Sequence, residues 1–181
     1  MQKWIALFRG INVGGKNVLP MSELRNDLKG LGLENIQTYI QSGNVVFDSE
    51  SKNVKVLAQA ITERIQRQHG FGPRVLIISR GDLQLAIKAN PFPEAVSEPQ
   101  SLHFFFLDDT PATPNVQAID QAKAPTESYV IKGKLFFLHA PDGVGRSKLA
   151  TLAEKYLGVA ATARNYRTVE KIAALAAQTR L

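Results

Sequence analysis

Apolar residues along this chain alternate between two spacings, every second position and every third or fourth. That is the signature of strands interleaved with amphipathic helices. Residues 4–8 read as a strand. Met21, Leu24, Leu28 and Leu31 share one helical face, with Pro20 near its first turn and Gly32 at its end. Residues 36–40 and 45–47 read as strands joined through Gln41, Ser42, Gly43 and Asn44, a hairpin signal. Val54, Leu57, Ile61 and Ile65 predict a second helix closed by Gly70, and residues 74–79 a fourth strand. The resulting order, βαββαβ, is that of a ferredoxin-like unit.

A helix over 83–89 is stopped by Asn90, Pro91, Phe92 and Pro93, a connector that marks a boundary. The order then repeats: a strand over 102–107, a helix over 115–123, and a hairpin of 128–131 and 135–139 about Lys132, Gly133 and Lys134. A helix over 147–157, a strand over 159–163 and a closing helix over 169–178 follow. Tyr39, Gly43 and Phe47 recur ninety residues later as Tyr129, Gly133 and Phe137, which either an internal duplication or the common chemistry of hairpins produces. The expected fold is α+β: two ferredoxin-like (βαββαβ) units of mostly antiparallel sheet with helices packed on them, plus a C-terminal helix. Residues 1–80 form the first unit, 81–101 a helix and proline-rich connector, and 102–181 the second unit.

Composition narrows the class. The 181 residues suit one ordinary domain or two small ones, and no apolar run approaches the roughly 20 residues that cross a bilayer. Residues 1–8 lack the cleavage pattern of a signal peptide, so a cytoplasmic protein without a membrane partner is expected. The absence of cysteine excludes disulfides, thiolate chemistry and cysteine-ligated metals. A formal charge of +6 favours anionic partners. The excess is concentrated: from Lys132 on there are nine lysines and arginines, the last of them Arg180, against three acids.

Candidate chemistry gathers in loops. After the first strand come Arg9, Gly10, Ile11, Asn12, Val13, Gly14, Gly15, Lys16 and Asn17, where glycines allow close backbone approach and cations and amides can pair with oxygen atoms. The spacing from Gly10 to Lys16 approaches that of a P-loop, but Asn17 stands where a magnesium-binding Ser or Thr is needed, and the helix starts near Pro20. Hairpins also demand an antiparallel sheet, whereas a P-loop wants a parallel one. In a βαββαβ sheet the loop after strand one and the hairpin after strand two emerge at the same end, so Asn12, Gly14, Gly15 and Lys16 should adjoin Ser42, Gly43 and Asn44.

A second glycine cluster, Asp142 to Lys148, opens the penultimate helix. It reads either as an anion site strengthened by Arg146 and Lys148 or as an ordinary turn with Ser147 as N-cap. Arg164 and Asn165, at the exit of the last strand, should lie at the same end as Arg146, where two arginines would capture a phosphate or carboxylate. His69 reads as a cap on helix carbonyls and His103 and His139 as strand residues, with no metal signature among them.

The segments RGINVGG (9–15) with Lys16, Asn17 and Met21, TYIQSGNVVF (38–47), NPF (90–92), GVGRS (143–147) and TARNYRT (162–168) resemble the bacterial family called domain of unknown function 1697. The resemblance spans nearly the whole chain in the family's order, with Tyr166 where relatives often carry Trp. It implies an α+β fold of ferredoxin-like units and supplies no substrate or cofactor.

The expected function is binding of a small anionic ligand, phosphorylated, nucleotide or carboxylated, in a cleft between the units. Arg9, Asn12, Gly14, Gly15, Lys16, Asn17, Ser42, Gly43 and Asn44 would form one wall and Arg146, Arg164 and Asn165 the other. Acid or base catalysis would need a carboxylate or histidine that spacing does not bring there, so turnover stays open. The alternative is a nucleic-acid-binding protein using a sheet face and the basic C-terminal third, although the aromatic pattern of RNA-recognition modules is missing.

Overall fold

The alternation of Trp4, Ala6 and Phe8 with Ile5, Leu7 and Arg9 makes β1 (Gln2–Arg9) a strand with two distinct faces. In the computed structural model, which describes residues 1–178, β1 is a central strand of an antiparallel sheet. Arg180 lies outside the described residues. β2 (Glu34–Tyr39), β3 (Asn44–Ser49) and β4 (Arg74–Ser79) complete the sheet in the order β2-β3-β1-β4. Trp4, Ala6, Phe8, Phe47 and Ile77 meet Leu24 and Leu28 of α1 (Met21–Lys29) and Leu57, Ile61 and Ile65 of α2 (Val54–His69) in one core. Each fully buried leucine, isoleucine or phenylalanine of this core contributes roughly 1.5–3 kcal/mol.

The α1–α2 contact carries a polar cluster around buried Asp27. Asp27 accepts from Arg64 Nε at 3.2 Å and lies 2.7 Å from His69 Nε2, while Glu23 lies 3.6 Å from the other ring nitrogen. His69 therefore joins two helices through carboxylates, a correction to its expected role on helix carbonyls. Helix α2 closes at Gly70, whose φ of 80° is left-handed, as its position in the sequence indicates.

α3 (Arg80–Lys88) and a 3-10 turn over Pro93–Ser97 lead into β5 (Leu102–Leu107). With β6 (Ser128–Lys132), β7 (Leu135–His139) and β8 (Ala161–Asn165) it forms a second antiparallel sheet, ordered β6-β7-β5-β8. Phe105, Leu107, Phe136 and Leu138 pack against Ile119 of α4 (Val116–Ala122) and Leu149, Ala153 and Leu157 of α5 (Lys148–Leu157). α6 (Tyr166–Ala177) closes the fold. Both sheets have the strand order of a ferredoxin-like unit, so the α+β expectation holds, including the C-terminal helix. Two compact units result: residues 1–85 with those from Lys171 on, and Ala86–Glu170. No helix among the described residues is long and apolar enough to cross a membrane.

Candidate functional site

Residues 10–20, between β1 and α1, are shaped by positive φ angles at Gly10, Asn12, Gly14, Gly15 and Asn17. Val13 and Lys16 pair across a tight hairpin, with Lys16 N–H donating to Val13 O at 3.1 Å. Gly14 and Gly15 hold its two central positions, where a two-residue turn of this kind needs positive φ twice. Asparagine tolerates the same region, which accounts for Asn12 and Asn17.

The amides of this loop serve the loop itself. Asn12 Nδ2 donates to Leu19 O at 2.9 Å and Gln41 O at 2.8 Å, and its Oδ1 accepts from Leu19 N–H at 2.7 Å. Asn17 Nδ2 donates to Gly10 O at 2.8 Å. In the β2–β3 hairpin, Asn44 Nδ2 donates to Tyr39 O at 3.0 Å and to Ser42 Oγ at 3.1 Å. Gly43 O accepts from Phe8 N–H, and a Cβ on Gly43 would fall 2.5 Å from Phe8 Cβ. The Asn12–Gln41 bond shows that topology brings the two loops together as the spacing requires. Their glycines and asparagines make a stapled platform, and Val13, Lys16, Val18 and Ile40 project from it, all exposed. Arg9 stands in cross-strand register with Arg74, which places two cations at this end.

In the second unit, Leu102 pairs with His139 and His103 with Asn165, so the exits of β7 and β8 flank the start of β5. A cavity of about 530 Å³ opens at this end. Residues 97–101, residues 140–143 and Arg167 line it. Ala140 N–H donates to Ser101 O at 2.8 Å and Tyr166 N–H to Pro99 O at 3.1 Å, which ties both segments and the start of α6 together. Its volume lies within the range of small-molecule sites, roughly 300–1,000 Å³.

The basic residues singled out by spacing take different places. Arg164 is on β8, its Nη1 donates to Ala163 O at 2.8 Å, and burial pulls its guanidinium down to about 10. Arg146 ends an exposed 3-10 turn over Val144–Arg146. Ser147 caps α5 by accepting from Ala150 N–H at 2.9 Å, and Asn165 accepts from Thr168 N–H in the first turn of α6. For Ser147 this is the N-cap role that the sequence offers. The cation that lines the cavity is instead Arg167, one position into α6 after Tyr166, exposed and without a hydrogen bond or ion pair among the described residues. Its signal in the sequence was faint, a basic residue three after Arg164 at the start of a helix.

Two residues after Ser101 of the lining, His103 is buried, hydrogen-bonded to the Ser101 backbone and holds an Nδ1 without a partner among the described residues. Burial lowers its pKa from the ordinary 6.5.

Comparison with known proteins agrees with the fold. Residues 1–137 match DUF1697, described as a protein of unknown function. The match takes in the glycine loop, the first hairpin and residues 97–101, and ends before residues 140–143 and Arg167. The structure is similar to that of the conserved bacterial protein SP0830 from Streptococcus pneumoniae, with a TM-score of 0.71 and 26% identity over 97% of this chain and 98% of that one. No curated protein matches the chain.

Proposed function

Since the chain belongs to the DUF1697 family, whose function is unknown, we propose from the geometry of the second unit that it binds a small ligand through an anionic group held by Arg167. The observation that carries this reading is a guanidinium, without an ion pair among the described residues, lining a cavity of ligand size. Arginine presents a rigid fork of donors that fits a carboxylate or phosphate in two-point contact. An anion arriving at Arg167 gains a charge-assisted pair without displacing an ion-pair partner among the described residues.

A small ligand suits this cavity better than a nucleic acid. Glu98 and Asp142 share its lining, and their carboxylates would repel a phosphate backbone running past Arg167. The test is a thermal-shift and calorimetric panel of phosphorylated and carboxylated metabolites on the full chain. At least one member should raise the melting temperature, and Arg167→Gln should erase that shift while leaving the unliganded melting temperature within about 1 °C, as expected of an exposed surface substitution. A panel without any stabilising compound, or a shift that survives Arg167→Gln, overturns the reading.

A further inference from the structure

The cavity carries charges of both signs that do not pair with one another. Arg167 and Glu98 both line it, yet neither makes an ion pair among the described residues. Asp142 lines it too, and its Oδ2 accepts from Thr126 Oγ1 at 2.6 Å, which fixes the carboxylate without neutralising it. Opposite charges held apart around one space lose the attraction they would gain by meeting, and a molecule bearing both complementary charges restores it.

The two serines of the lining lean the same way, while the Gln100 amide can donate or accept. Ser97 Oγ donates its single hydrogen to Glu94 O at 2.9 Å, and Ser101 Oγ donates its own to Glu98 O at 2.8 Å. A serine hydroxyl whose hydrogen is committed has only lone pairs to offer. Both hydroxyls and both carboxylates of the lining are therefore acceptors, facing a single cationic donor, Arg167. A simple anion would satisfy Arg167 and leave four acceptor groups to water. An ammonium group supplies three donors and a positive charge.

Resting on the anion reading above, we propose that the ligand is a zwitterion: its carboxylate or phosphate lies against Arg167, and its protonated amine lies against Glu98 and Asp142. Amino acids and amino-phosphate esters have this chemistry, and the cavity leaves room for a substantial third substituent.

Calorimetry on the full chain tests it with matched pairs, each α-amino acid against its des-amino carboxylic acid and phosphoethanolamine against ethyl phosphate. The amine-bearing member should bind about tenfold or more tightly than its partner, the scale of one charge-assisted hydrogen bond. Glu98→Gln should shrink that preference to below about threefold, and Arg167→Gln should abolish binding of both members. Preference in the carboxylate pairs alone, or in the phosphate pair alone, supports the zwitterion and identifies its anionic group. Equal affinity within every pair, or a preference unchanged by Glu98→Gln, overturns the zwitterion while the anion reading stands. Failure of every compound to bind overturns both.

Discussion

The loop end of the first unit and the cavity end of the second are made of the same materials, glycine turns, short polar caps and basic side chains, put to opposite uses. In residues 10–20 and 40–44 the polar side chains close on the backbone: the Asn12 side chain alone makes three hydrogen bonds, one of which crosses to the neighbouring loop. Around the second unit's cavity, Arg167 and Glu98 have no ion-pair partner among the described residues, and Asp142 meets a hydroxyl there. The two ends are also not topological equivalents. The stapled loops follow β1, whereas the cavity precedes β5 and follows β7 and β8. A glycine- and asparagine-rich segment thus reports a demanding backbone path, and ligand-ready groups are better sought where charge has gone unanswered.

The contrast breaks most visibly at Gly43. Its φ of 75° disfavours any side chain, and its would-be Cβ runs into Phe8 Cβ and Ile11 Cδ1, both in the core. Gly43→Ala should cost roughly 2–4 kcal/mol, combining left-handed strain with overpacking. Urea unfolding followed by Trp4 fluorescence reads it, because Trp4 is buried in the same core and is the chain's single tryptophan. A loss below about 1 kcal/mol would show that the two loops give way easily and are no platform.

A smaller effect is expected at Asn12. Asn12→Asp keeps the shape and the acceptor for Leu19 N–H, but sets an oxygen where an amide now donates to Leu19 O and Gln41 O. The cost should be about 2 kcal/mol, from two lost hydrogen bonds and carbonyls left facing a carboxylate. Hydrogen exchange should quicken at Leu19 N–H and Asn12 N–H. Unchanged exchange there would mean that the staple contributes nothing to loop order.

Much of the fold was legible because the strands state their own limits. Residues 74–79, 102–107 and 135–139 are strands at the positions that alternation and flanking turn residues assign. The last strand was misplaced by two residues: Val159 and Ala160 look strand-like, but they follow the left-handed cap Gly158, and β8 runs instead through polar Arg164 and Asn165. The recurrence at ninety residues also dissolves in three dimensions. Tyr39 pairs with Asn44 across residues 40–43, whereas Lys132 pairs with Leu135 across the tighter turn at 133–134. Phe47 consequently packs under the helices while Phe137 pairs with Phe104 on the opposite face, since a slip of one residue exchanges the faces of a strand. At the candidate sites, topology foretold that the two loops of the first unit meet. Partner choice was not legible, because Asn12 finds Gln41 only once the sheet has formed. Arg167 was hidden for a related reason, as a basic residue in a first helical turn looks like any solvated side chain until a cavity forms beside it.

His103 gives the smallest effect and sharpens the contrast from the other side. The second unit leaves its Nδ1 buried without a partner, and burial, outweighing the hydrogen bond to Ser101, lowers its pKa from 6.5. Between the lowered folded value and 6.5, the unfolded chain therefore binds more protons than the folded one. The contribution is complete above pH 6.5 and is lost as the pH falls toward the folded value. The measurement is a difference: hydrogen exchange in β5 and β8 of the native chain against His103→Gln, at pH values above and below 6.5 and corrected for intrinsic rates. Acidification should weaken protection in the native chain more than in the variant. Equal loss in both would mean that the neutral imidazole is not what the interior holds at this position, and that the cavity end, like the loop end, has settled its polar groups internally.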